Sequence, residues 1–180
     1  MCTDIDDPLN DLPVEVRDAL EEAGWKPGHS RAEMTRGPFS VKLGGWPNYV
    51  SYFWDESLEL GVQSSTGDLL MRSRHAQRVL DELAGLRLMP LVGEVLRSQI
   101  VFDVTEGIAM SDEIKKLSVF LQSLLIPIGE VLSESIILLG ESGSVFLLGY
   151  VGYGVLYVDY SFGPSMKKLL IGEALTPLDF

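Results

Sequence analysis

A chain of 180 residues, 46% of them apolar, can build one sizeable hydrophobic core, and its three Trp, six Tyr and seven Phe exclude the disordered class. Twenty-six carboxylates against 14 Lys and Arg leave a net charge of −12, which repels a phosphate backbone and argues against nucleic-acid binding. That balance suits a basic partner, or simple solubility, while a single cysteine, Cys2, excludes a disulfide framework and fits the reducing cytoplasm.

Residues 1–11 read as an acidic, flexible leader, with Asp4, Asp6 and Asp7 where a secretory signal would carry basic residues and an apolar run. A first helix is expected over 13–23. Pro13 suits its opening turn, and Leu12, Val16, Ala19, Leu20 and Ala23 recur at helical spacing. Gly24 supplies a left-handed stop, Trp25 can fold back on the last turn, and Pro27 and Gly28 complete the break. Residues 37–63 mix Trp46, Tyr49, Tyr52, Phe53 and Trp54 with Gly and Pro, a pattern of loop and short strand.

A second helix follows over 74–83, with Ser73 as its cap, Ala76, Val79, Leu80 and Leu83 as its apolar face, and Gly85 as its end. Residues 86–89 and 99–104 are candidate strands. Ser111 can cap a third helix through 125 that buries Ile114, Leu117, Phe120, Leu121 and Leu124, stopped by Pro127 and Gly129. Residues 136–139, the turn Glu141-Ser142-Gly143 and residues 145–151 read as a β-hairpin, with 155–160 as a further strand. Pro164 opens a last helix whose Met166, Leu169 and Leu170 face inward until Gly172. Strands that cluster late around a hairpin predict an α+β fold, a mixed, largely antiparallel sheet packed by about four helices, as a single domain over 12–180. The apolar stretch 136–158 is cut by Glu141, Ser142 and Gly143 and again by Gly149, Gly152 and Gly154, so no membrane span is expected.

The chemistry-bearing residues are sparse. His29 and His75 stand apart, outside any metal-ligand spacing, so neither a metal nor another cofactor is expected. Gly140 to Ser144 has the outline of a nucleophile elbow, but Ser144 occupies the second glycine position and a strand pattern follows, which favours a hairpin turn. Gly149 to Gly154 lacks the order of a dinucleotide loop and reads as a bulge or bend. No enzyme activity is expected; had there been one, Glu130 with Asp103 or Asp159 would be the carboxylates to examine. Tyr52 and Trp54 beside Asp55, Glu56 and Glu59 form the candidate partner-binding stretch, since aromatics next to carboxylates can anchor and orient a basic protein.

Several segments, taken in order, resemble the SUKH superfamily, in particular its third immunity-protein subgroup. Leu20 to Gly28 is similar to that subgroup's "AGW-x-PG" helix end, and Ala76 to Leu88 to its helix ending in a "GGL" turn before a strand. Ile100-Val101-Phe102-Asp103 stands where the family has an apolar strand ending in Asp, and Leu125 to Glu130 resembles its "LYPLGE" turn. Glu141 to Phe146 is similar to its "DE-x-G-x-VY" hairpin, and Lys167 to Gly172 to its closing helix. Ala84, Ile126 and Gly140 depart from the pattern, replacing a glycine, an aromatic and an acid. The resemblance implies a SUKH-like fold and a bacterial cytoplasmic immunity protein that neutralises a cognate polymorphic-toxin domain, such as a basic nuclease or nucleic-acid-modifying enzyme. The alternative is an intracellular scaffold or regulatory binding module on the same fold.

Overall fold

The computed structural model of the chain describes residues 7–31, 74–92, 95–96, 98–103, 107, 109–152 and 154–180. Helix α1 spans Val14–Glu22, with Pro13 just before it and Val16 and Leu20 fully buried. Burying side chains of this size contributes about 1.5–3 kcal/mol each. Its end is a left-handed stop: Gly24 has φ 97°, its N–H donates to the Glu21 carbonyl at 2.9 Å, and the Trp25 N–H reaches back to Leu20 at 2.8 Å. Packing begins within the stretch assigned to the leader, where Leu9 is buried and Asp7 pairs with Arg78 at 2.8 Å.

Helix α2, Arg74–Leu83, buries the expected Ala76, Val79, Leu80 and Leu83. Gly85, at φ 75°, ends it and donates its N–H to the Phe102 carbonyl at 2.8 Å. Strands β1 (Arg87–Leu88), β2 (Leu91–Val92), β3 (Val95–Leu96) and β4 (Ile100–Val101) follow. Helix α3 is Ser111–Leu121, then β5 (Leu125–Val131), β6 (Ser135–Gly140), β7 (Val145–Gly149) and β8 (Val155–Asp159). Helix α4 (Phe162–Ile171) and β9 (Thr176–Leu178) complete the described elements.

Seven strands form one sheet in the order β1-β4-β5-β6-β7-β8-β9, while β2 and β3 pair separately. Every described pairing in the large sheet is antiparallel, where a mixed, largely antiparallel sheet was expected. The reason is connectivity. From β5 to β8 successive strands are joined by short turns, and a parallel pair would need a crossover of a dozen or more residues.

The largest correction concerns residues 122–131. Helix α3 does not run to 125: Gln122 turns left-handed at φ 51° and its N–H donates to the Ser118 and Val119 carbonyls. Leu125 to Val131, expected to stop a helix, is an interior strand. Pro127 is accommodated because β5 shifts register between Pro127 and Gly129, and because the only described β5 residues that pair with β4 are Glu130 and Val131. Gly129 is required at that bulge, since a Cβ there would collide with the Val101 carbonyl. Phe120, expected inside, is 53% exposed and meets Phe180 edge-on with ring centroids 5.5 Å apart.

Register sorts the sheet's side chains into two faces. Ile100, Val131, Ser135 and Gly149 lie across from one another on one face, as do Ile137, Leu147 and Leu156. Helix α4 packs on β8 on this side, and α1 packs on α4. The other face carries Pro127, Leu138, Phe146 and Tyr157, the last two rings 5.6 Å apart. Gly107, leading towards α3, abuts Pro127 there.

Candidate functional site

The two hairpin connections β5–β6 and β7–β8 fall at the same end of the sheet, because antiparallel strands return there together. They are tied to each other: Ser133 turns left-handed at φ 62°, and the Tyr150 N–H donates to the Glu134 carbonyl at 3.0 Å. The Tyr150 hydroxyl donates to Glu130 Oε2 at 2.7 Å across β6. On the outer side, the Leu132 N–H donates to the Gln99 carbonyl at 2.8 Å, and the Ser98 hydroxyl donates to Glu134.

Helix α4 ends over this region, Gly172 capping it in a left-handed conformation while the Glu173 N–H donates to the Lys168 carbonyl at 3.0 Å. Between the helix end and the sheet lies an open cleft of about 390 Å³. Ile100, Val131, Leu147 and Leu156 make an apolar floor, Leu169 and Leu175 an apolar wall, and Glu134 and Glu173 bring carboxylates to its rim.

Lys168 also lines the cleft, but its charge is engaged. Its ammonium pairs with Asp159 at 3.0 Å and donates to the Val158 carbonyl at 3.1 Å. The hydrogen bond to Asp159 raises the Lys168 pKa above its ordinary value, against a smaller opposing effect of burial. Glu134 and Glu173 are both exposed, and no described cation lies within ion-pair distance of either, although Glu173 is near enough to Lys168 to help raise its pKa. The C-terminal end of α4 brings its negative dipole end to the same side of the cleft. Such a site can hold a cation that carries an apolar stem.

A second polar locus is built differently. Glu82 on α2 is only 1% exposed, and three donors satisfy its carboxyl group: the Trp25 indole N–H at 2.9 Å, the Gly28 backbone N–H at 2.9 Å and the Arg78 guanidinium. Arg78 bridges onward to Asp7. Burial lowers the Arg78 pKa, but its hydrogen bonds to Asp7 and Glu82 outweigh that and leave it raised. This is a structural clasp between the turn after α1 and helix α2.

The candidate contact stretch Tyr52, Trp54, Asp55, Glu56 and Glu59 lies outside the described residues, as does the Ser73 cap. The carboxylates singled out for catalysis are not all brought together. Asp159 is level with Val145, Leu139 and Ile126, so it sits at the other end of the sheet from Glu130 and three strand spacings away, about 14 Å. Asp103 lies two residues beyond Val101, the residue facing Glu130. His29 is exposed, and His75 is half-buried with Nδ1 3.3 Å from the Glu141 carbonyl oxygen. Among the described residues no three His, Cys, Asp or Glu gather as metal ligands.

Gly140 to Ser144 forms the β6–β7 turn, with Gly143 at φ 92° and strands on both sides. Gly149 and Gly154 close the connection between β7 and β8, the Gly149 N–H donating to the Gly154 carbonyl at 2.9 Å. Among the described residues no helix is long and apolar enough to cross a membrane. The sequence pointed to the glycines of that connection but not to the cleft, whose walls come from three distant segments. No family model, curated protein or solved structure matches the chain.

Proposed function

We propose that this chain is a cytoplasmic immunity protein with a SUKH-type fold, of the third immunity subgroup, which binds and neutralises a cognate toxin domain. The order of the resembling segments carries the reading. The end of α1, α2 with the turn into β1, β4, β5, the β6–β7 hairpin and α4 follow one another around one α+β layer. The segment Gly24 to Gly28 supports it further, because it does more than stop a helix: Trp25 and Gly28 both anchor on Glu82 of α2.

The charge suits the role. A net charge of −12, with Glu15, Asp18, Glu21 and Glu22 exposed along α1, favours encounter with a nuclease or nucleic-acid-modifying toxin whose own cleft is basic. The test is co-expression with the C-terminal domain of a secreted toxin encoded beside this chain. Restored growth and a co-purifying complex are the expected result. Continued killing with both proteins soluble overturns the reading.

A further inference from the structure

We propose that the cleft under the end of α4 takes an arginine side chain presented by a protein partner. This deepens the reading above, and if that reading is right the arginine belongs to the toxin domain. The apolar floor of Ile100, Val131, Leu147 and Leu156 matches the aliphatic stem of such a residue, and Glu134 and Glu173 at the rim match its guanidinium. At about 390 Å³ the cleft is many times the roughly 30 Å³ share of one water, so it has room for a long side chain with its solvent.

Charge complementarity selects the occupant. The cleft's cation, Lys168, is already held by Asp159, so the rim faces solvent with two carboxylates and a helix C-terminus. An anionic ligand would meet these three with Lys168 already occupied. A planar, five-donor guanidinium can reach two carboxylates at once, which a compact ammonium does less well.

A protein is the source of the arginine because of what flanks the mouth. Leu132 on the β5–β6 turn is 42% exposed and Val151 on the β7–β8 bend is 94% exposed. Both sit on tips braced by the Tyr150–Glu134 and Leu132–Gln99 hydrogen bonds, so the apolar contacts they offer are held in place. A partner surface with an arginine set among apolar neighbours fits that rim.

The test titrates the full chain with N-acetyl-arginine-methylamide and with its citrulline analogue, which has the shape without the charge, following backbone amides by NMR. Arginine is expected to shift the Glu134, Gly154, Gly172 and Glu173 signals, and citrulline to bind weaker by about fivefold or more. The double variant E134Q/E173Q, at exposed positions, is expected to abolish that preference with an unchanged fold. Equal responses to both compounds, or shifts spread along the acidic face of α1 instead, overturn the proposal. Toxin rescue separates the two claims. Undiminished rescue by E134Q/E173Q overturns the toxin's use of the cleft and leaves the immunity reading standing. Arginine binding in the cleft without rescue by the wild-type chain leaves the cleft standing and overturns the immunity reading.

Discussion

Glutamates do opposite work at two places in this molecule. Glu82 is buried and receives hydrogen bonds from Trp25, Gly28 and Arg78, so its charge is spent inside the fold. Glu134 and Glu173 sit at the rim of a cleft, exposed and outside any described ion pair, so most of their charge faces solvent and a partner can reach it. Composition counts the three residues alike. What separates them is desolvation: a buried carboxylate persists only where donors replace its water, whereas a solvated one can exchange water for another molecule's donors at small cost.

Removing the buried member should have the largest effect. Glu82→Ala leaves the Trp25 and Gly28 N–H groups without their acceptor and Arg78 with Asp7 alone, and is expected to cost about 3 kcal/mol, measured by urea denaturation. A loss below about 1 kcal/mol would mean that water enters the clasp and that the two glutamate environments differ less than the structure implies. Gly129→Ala tests whether rigidity of the sheet beneath the cleft matters. Its Cβ meets the Val101 carbonyl and Phe102 Cα, and about 2 kcal/mol of stability should be lost.

Trp25→Phe keeps most of the ring but removes the donor to Glu82, with an expected loss of about 1–2 kcal/mol. A loss that vanishes in a Glu82→Ala background, which has no acceptor at that position, would assign the effect to that hydrogen bond by a double-mutant cycle. The pair at the cleft wall should make a smaller, pH-dependent contribution. Because the folded Lys168 pKa is raised, the stability it lends is fully present below the ordinary lysine value of 10.5 and is lost as pH rises through the folded value. Thermal melts of wild type and Lys168→Met should therefore converge at strongly alkaline pH. Smallest of all is E134Q/E173Q, which should change stability by under about 0.5 kcal/mol, against the large effect at Glu82.

Much of the clasp was readable from residue types. Gly24, Trp25, Pro27 and Gly28 announce a helix end, and the structure keeps that assignment. Its anchor was not readable, because Glu82 on an amphipathic helix looks like any solvated acid until Trp25 is placed against it. Residues 122–131 failed for a local reason. Pro127 and Gly129 are ordinary helix stops, and only the neighbouring backbone of Val101 explains why a strand needs glycine there.

By itself the sequence determined the first two helices to within a residue, a last helix expected from Pro164 that in fact opens at Phe162, the β6–β7 hairpin and the acidic balance of the chain. These rest on periodicity, caps and composition, which act over a few residues. Only the tertiary structure decided the order of the seven strands, and that the turn at Glu134, the residues Gly149 and Gly154 and the end of α4 meet around one cleft. That meeting depends on strand order and register, and no short-range pattern encodes which distant segments become neighbours.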